Sequence, residues 1–390
     1  MKISILTPDL SHNCLGRAYI LAKVLQRRYD VEIIGPVFGN EIWRPVADDK
    51  DVVYKFVKFG KRFISVWKLK ELYKKIDGDI IYAVKPLFTS FGLGLIKKIN
   101  SRRPLILDID DWQMGFINDY YHSLSIIKRL RYFIGSFVCP CSTSSYWNNL
   151  FGEKLSRLAD SITVSNSFLK EKFDGVIVWH GRDTSALNPI KFDKFLLRQK
   201  YGIDKESKIV MFFGTPRPHK GVEDLVKAVN LIKNKDVVLI IVGVDNRDQY
   251  CKNLVKTARK ILVGKLKIFG LQSFKKVPEF LSIADVIVIP QRRSYSTVGQ
   301  IPAKVFDAMA MAKPIIATNV SDLPEILNGC GWIVEAGNPE QLSRMIQYVM
   351  DNPEKAIEIG WKARQKCIER YSWDVMEKAL AGVFTKIVDK

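Results

Sequence analysis

Gly214-Thr-Pro-Arg-Pro-His-Lys-Gly221 lies between the apolar run Ile209-Val-Met-Phe-Phe213 and an amphipathic stretch that begins at Val222. A buried strand that runs into a glycine turn and then into a helix start is a phosphate grip. Free backbone N–H groups and the helix dipole favour an anion there, and Arg217 and Lys220 add full positive charge. An ordinary strand-to-helix turn with solvated cations would carry the same two glycines, so the surrounding chain has to decide.

Outward from this turn, short apolar runs alternate with helix-period segments, the pattern of parallel sheets built from βα units. The first half offers strands at Ile3 to Thr7, Val31 to Ile34, Asp79 to Ala83, Leu105 to Asp108, Ser161 to Val164 and Val176 to Trp179. The second offers Ile209 to Phe213, Val237 to Val242, Leu266 to Phe269, Val286 to Ile289, Pro314 to Thr318 and Gly331 to Val334. Between them His180-Gly-Arg-Asp-Thr184 opens a turn-rich stretch without periodicity. The expected fold class is α/β, with two domains whose parallel sheets face each other across a cleft. The expected bounds are 1–184, 185–372 and a C-terminal helix over 373–390 that packs back on the first domain. A chain of 390 residues exceeds what one core usually organises.

Eighty residues past the turn comes Ser296-Thr-Val-Gly299-Gln-Ile-Pro302-Ala-Lys304-Val-Phe-Asp307. The pattern predicts a loop opening a helix on which Lys304 and Asp307, three apart, share a face. Lys304 can hold a diphosphate while Asp307 accepts both hydroxyls of a ribose. The bland alternative is an intrahelical ion pair worth a few tenths of a kcal/mol.

These segments resemble the donor-binding domain of retaining glycosyltransferases of family 4, a resemblance that implies the GT-B fold of two facing Rossmann-like domains. The likeness rests on Gly214 to Gly221, Phe269-Gly270, Pro302 to Pro314, Pro324-Glu325-Ile326 and Gly331 to Glu340, and extends over residues 190 to 375. A looser likeness in the first half includes Gly16-Arg17, Asp79 to Pro86, Asp108-Ile-Asp-Asp-Trp112 and Ala159 to Ser165. The resemblance makes Arg217 and Lys220 the cations on the donor diphosphate, assigns Asp307 to the ribose, and puts Lys304 and Val305 on the loop ahead. It sets Gly270 and Leu271 against the nucleobase, and Gly16 with Arg17 and Gly214 near the phosphates. His219 lies within the phosphate turn and can donate to it. Asp110 or Asp111 is expected near the transferred sugar. Two departures stand out. Gly299 occupies the place of the first acid of the family's paired-glutamate motif, and Asp307 replaces the second. Arg217 also falls two positions later than the usual arginine.

Asp108-Ile-Asp110 is also the metal-binding pattern of the other large glycosyltransferase fold, and alternate carboxylates could hold Mg²⁺ or Mn²⁺. Because cations already fill the diphosphate's role, no metal and no cofactor is expected. The donor, a nucleotide-diphosphate sugar, is itself the substrate.

The net charge of +20 is uneven: residues 51–131 hold 16 Lys/Arg against 8 Asp/Glu, and residues 251–300 hold 10 against 2. In the first segment cations interleave with large apolar residues at Lys58-Phe-Gly-Lys-Arg-Phe63, Val66-Trp-Lys-Leu-Lys70 and Ile126-Ile-Lys-Arg-Leu-Arg-Tyr-Phe133. That mixture suits an anionic membrane surface. It would also suit nucleic acid, but a nucleic-acid binder gives the Asp307 helix no role, and none is expected as a partner. No apolar run is long enough to span a bilayer, and the chain begins directly in a strand-like pattern, so neither a secretory signal nor an anchor is expected. Six scattered cysteines, with Cys139-Pro-Cys141 in neither redox nor zinc spacing, point to reduced thiols in the cytoplasm. Peripheral contact with the inner face of the plasma membrane is the expected location.

The expected reaction is transfer of a glycosyl group, UDP-linked, to a hydroxyl of a lipid-linked or oligosaccharide acceptor, with closure of the two domains expelling water. A GDP-mannose-dependent mannosyltransferase of the same fold is the alternative, and a non-catalytic sugar-nucleotide binder is the rival of another class. A dinucleotide dehydrogenase would need Gly-x-Gly-x-x-Gly, and Gly92-Leu-Gly94 lacks the third glycine.

Overall fold

The computed structural model describes residues 1–60, 65–138 and 142–388. Lys61-Arg-Phe63 of the basic stretch and Cys139-Pro-Cys141 lie outside the described residues. The chain divides into two compact units: 1–180 with 294–301 and 376–390, and 181–293 with 302–375.

The first unit holds a parallel sheet of seven described strands: β1 (Lys2–Leu6), β2 (Asp30–Val37), β3 (Val53–Lys58), β4 (Ile80–Val84), β5 (Leu105–Ile109), β6 (Ser161–Val164) and β7 (Val176–Ile177). Their order is β3-β2-β1-β4-β5-β6-β7. The central strands read as unbroken apolar runs because helices cover both faces: β1 is flanked by Val31 of β2 and Ile80 of β4, each in register with Ile3. The strand the sequence reading lacks is β3. It alternates cations with apolar residues in Val-Tyr-Lys-Phe-Val-Lys, and as an edge strand it buries little beyond Val57. Strand order reverses between β1 and β4, where ligands of doubly wound sheets bind beyond the carboxyl ends.

The second unit holds β8 (Lys208–Phe213), β9 (Val237–Val244), β10 (Leu266–Gly270), β11 (Val286–Ile289), β12 (Ile315–Thr318) and β13 (Trp332–Val334), all parallel, in the order β10-β9-β8-β11-β12-β13. The helix Val222–Leu231 lays Val222, Leu225, Val226 and Val229 on Val210, Phe212, Leu239 and Ile241. That i, i+3, i+4, i+7 stripe is what binds a helix to a sheet. Here the order reverses between β8 and β11.

Two segments return to the first unit. The last helix, Trp373–Val388, buries Met376, Leu380, Val383, Phe384 and Ile387 on one stripe. Phe384 stacks on Tyr29 at 5.6 Å and meets the edge of Tyr82 at 6.1 Å, while Arg27 pairs with Glu377 at 2.8 Å. The short helix Tyr295–Val298 is the other, and Asp119 caps it: its carboxylate accepts the N–H groups of Tyr295 (3.0 Å) and Ser296 (2.9 Å). Among the described residues no helix is long and apolar enough to cross a membrane.

Candidate active site

The turn after β8 is made by two glycines with backbones no other residue adopts easily. Gly214 has φ 141°, and Gly243, at φ 102°, packs so closely on it that an added Cβ would lie 2.8 Å from the Gly214 carbonyl carbon. This brings the end of β8 against the end of β9. Gly221 closes the turn at φ 62°, with no room for a side chain beside Pro290.

Two of the three expected cations gather here. The Lys220 ammonium donates to the Thr215 carbonyl at 2.9 Å. Lys304, first residue of the helix Lys304–Ala310, passes beside Gly214 and holds its ammonium over the rings of Phe213 (5.0 Å) and Phe274 (5.3 Å). Arg217 turns instead to Asp248, the N-cap of the helix Gln249–Ile261, in an ion pair. His219 lies in the one-turn helix Pro218–Lys220, where its carbonyl accepts the N–H of Arg292 at 2.9 Å. Gly270 ends β10 exposed, followed by half-buried Leu271, and Val305 is wholly buried behind Lys304.

Asp307 is 5% exposed, and its Oδ1 accepts from Arg182 Nε. Lys304 Nζ stands 3.2 Å from Oδ2, which accepts no hydrogen bond. Burial alone would raise this carboxyl, but the charges of Arg182 and Lys304 outweigh it and hold it below the usual aspartate value. Arg182 also donates to the Ala303 carbonyl at 2.8 Å, just ahead of the helix. Its own backbone is pinned between Tyr371 and Trp373 through two 2.9 Å hydrogen bonds.

In the first unit the expected residues separate into two groups. Arg17 does not stand ready for phosphate. Its guanidinium is buried in a bidentate pair with Asp108 (2.9 and 2.8 Å) and also donates to the carbonyls of Val178 (2.8 Å) and Trp179 (3.1 Å), so a strand-end carboxylate has drawn it inward. Gly16 sits in the first turn of the helix Leu15–Leu25 under the ring of Trp43. Asp110 and Asp111 are bridged by Lys85, whose ammonium is 2.6 Å from an oxygen of each. Burial raises the Asp110 carboxyl to about 6 despite the adjacent ammonium, with the Asp111 charge adding to the rise. Asp108 and Asp110 thus face different cations, and among the described residues no cluster of His, Cys, Asp or Glu is arranged to hold a metal. Gly299 belongs to this unit rather than to the phosphate turn. Its carbonyl accepts the Trp112 N–H at 3.0 Å, and an added Cβ would lie 2.4 Å from Trp112 Cβ, which is why no acid stands there.

Residues 193–366 match the family model described as glycosyl transferases group 1. That segment is similar to the family. It is 25% identical over 224 residues to the alpha-maltose-1-phosphate synthase of Mycolicibacterium smegmatis, a stretch covering 54% of this chain and 56% of that protein. An uncharacterised glycosyltransferase of Methanocaldococcus jannaschii is 22% identical over 359 residues, 80% of this chain and 86% of the other. The chain thus spans little more than half of the first of these relatives. Among solved structures, Anabaena HepE in complex with UDP-glucose superposes with a TM-score of 0.76 at 17% identity, over 99% of this chain and 100% of that one. That likeness shows the fold, the GT-B class.

Two charged residues have no place in the sequence reading: Arg182 and Lys85. Lys85 lies in the Asp79 to Pro86 segment quoted above for its family likeness, and Arg182 in the turn-rich stretch His180 to Thr184. The available signal was a cation at the end of an apolar run, Tyr-Ala-Val-Lys85-Pro and Val-Trp-His-Gly-Arg182, where burial forces a charge to find a partner.

Proposed function

We propose that the chain moves a glycosyl group from a nucleotide-diphosphate sugar, UDP-linked, to a hydroxyl of a lipid-linked or oligosaccharide acceptor, with retention and without a metal. One observation carries this reading: Lys220 and Lys304 both lie against the Gly214–Thr215 turn, and buried Asp307 has an unsatisfied oxygen one helical turn beyond Lys304. The transition state resembles an oxocarbenium ion leaving a diphosphate, so negative charge grows on the leaving group. Fixed ammonium groups stabilise that charge by several kcal/mol. Asp307 accepts ribose hydroxyls, with the Lys304 ammonium beside its Oδ2. The leaving phosphate takes the acceptor's proton on the same face. The UDP-glucose named for the Anabaena structure supports the choice of base.

The acceptor side is read from the helix Ile126–Val138, which exposes Ile126, Ile127, Leu130, Ile134 and Phe137 along one flank beside Lys128 and Arg131. An apolar stripe edged by cations fits the surface of an anionic bilayer, where a lipid-linked acceptor resides.

A thermal-shift screen with UDP-, GDP- and ADP-sugars tests the donor, because a ligand bound only to the folded state raises its melting temperature. Turnover of the labelled donor that wins the screen then tests the reaction. Stabilisation by UDP-sugars with release of UDP is expected; no shift with any nucleotide sugar would sink the reading.

A further inference from the structure

Lys85 has no role in the reaction as read above. It follows β4 directly, at the carboxyl edge where the first sheet reverses its strand order. Its backbone is left-handed, φ 66°, a conformation costly for a side-chain-bearing residue. The side chain is buried, 5% exposed, yet charged. Burial opposes that charge, and the two adjacent carboxylates more than offset it, raising the Lys85 pKa.

Asp110 and Asp111 are consecutive and both partly withdrawn from water, so a cation between them offsets the repulsion of their two charges. Lys85 is that cation, equidistant at 2.6 Å from Asp110 Oδ1 and Asp111 Oδ2. The other oxygen of Asp111 accepts from Gln300 Nε2 at 2.8 Å, and the two residues form an antiparallel bridge. Gln300 follows Gly299, where Trp112 leaves no space for an acid. A carboxylate is therefore brought to this segment from the end of β5.

We propose that Lys85 is a positioning residue of the transfer reaction: it holds Asp110 and Asp111 side by side against Gln300, so that the pair accepts hydroxyls of a sugar at the carboxyl edge of the first sheet. This rests on the glycosyl-transfer reading. Removal of the ammonium leaves two neighbouring carboxylates to share a proton. The pair then presents fewer acceptor lone pairs at neutral pH and moves apart.

The test compares the parent with Lys85→Met, Lys85→Arg and Asp111→Asn. Lys85→Met should lower kcat about tenfold or more and move the acid limb of the pH–rate profile up by about one unit or more. The Kd of UDP, which lacks the sugar, should stay within about twofold, showing that the fold and nucleotide site persist. Lys85→Arg should restore the parent's acid limb. Asp111→Asn should move the limb the other way, because Asp110 loses a like-charged neighbour. This last variant decides the matter should Lys85→Met fail to fold. A Lys85→Met enzyme with the parent's rate and acid limb, or an Asp111→Asn limb that stays or rises, overturns the proposal. Should the parent turn over no nucleotide sugar, the transferase reading is what has failed. Carboxyl-carbon NMR of labelled aspartate, with Asp110 assigned through Asp110→Asn, then tests the clamp by itself: the Asp110 titration must rise in Lys85→Met, and an unmoved titration refutes it.

Discussion

Arg182 and Asp307, 125 residues apart in sequence, form an ion pair inside the second unit, each less than a tenth exposed. The pair ties the entry of this unit, where Arg182 is pinned by Tyr371 and Trp373, to the helix that carries Lys304. Removing one partner strands the other as a buried charge, which costs about 3–5 kcal/mol. Asp307→Ala should therefore lower unfolding free energy by about that amount in urea. Replacing both residues, Arg182→Met with Asp307→Leu, should recover most of it; under the proposed function that variant still binds no donor, because the proposal puts the ribose on Asp307. A double variant no more stable than the single would show that the pair is not the source of the loss.

The same pair fixes a pH dependence. Asp307 titrates lower in the folded than in the unfolded chain. Its contribution is therefore complete above the unfolded carboxyl pKa of about 4 and is lost as pH falls through the lower folded value. Melting temperatures of Arg182→Met, measured from pH 6 downward, should fall less steeply than those of the parent. Parallel curves would contradict the assignment.

The fold was legible wherever burial on both faces left apolar runs, as in Ile3 to Leu6 or Ile209 to Phe213. It was not legible at β3, where edge position leaves lysines in the strand and the pattern resembles a basic surface stretch. Nor could local pattern show that residues 294–301 leave the unit on either side of them in sequence. That depends on Asp119 capping the helix at Tyr295 and on Trp112 receiving Gly299, contacts made across more than 170 residues. The placing of Lys220 at the glycine turn, and of Lys304 with Asp307 on one helix face, was legible because each motif is local. Arg182 and Lys85 were not, since a buried charge is explained only by a partner far along the chain.

The phosphate turn predicts a ranking among its cations. Lys220 and Lys304 lie on Gly214 and Thr215, whereas Arg217 is paired with Asp248. Lys220→Ala and Lys304→Ala should each reduce turnover about a hundredfold, the scale of losing one charge-stabilising donor. Arg217→Ala should cost less than about tenfold, because the arginine must first give up a carboxylate. Initial rates with saturating donor distinguish these outcomes, and a larger loss at Arg217 would reverse the ranking.

Gly221 offers a steric test of the same turn. At φ 62° an alanine is strained by about 1–3 kcal/mol, and its Cβ would fall 1.9 Å from the Pro290 carbonyl oxygen. Gly221→Ala must therefore push β11 and the turn apart. Urea unfolding should show a loss above that strain alone, and UDP affinity should fall with it. Retention of both would mean that the turn relaxes without disturbing the lysines.

The exposed flank of the helix Ile126–Val138 makes the membrane reading quantitative. Ile126 is 82% exposed, Leu130 62%, and Ile134 and Phe137 57% each, Phe137 resting one side of its ring on Trp147 at 4.3 Å. Arg129, by contrast, is occupied, donating to the carbonyls of Tyr121, His122 and Leu124. Lys128 and Arg131 are therefore the helix's charges toward an anionic lipid, each worth about 1 kcal/mol near such a surface. In vesicle sedimentation, Lys128→Ala with Arg131→Ala should lower binding to anionic vesicles by roughly ten- to thirtyfold and leave the weak binding to neutral vesicles unchanged. Ile126→Ser with Ile134→Ser should weaken both, because apolar insertion does not depend on lipid charge. Arg129→Ala should instead lower thermal stability, by releasing the loop it fastens. Equal binding of the parent to neutral and anionic vesicles would remove the electrostatic half of the reading.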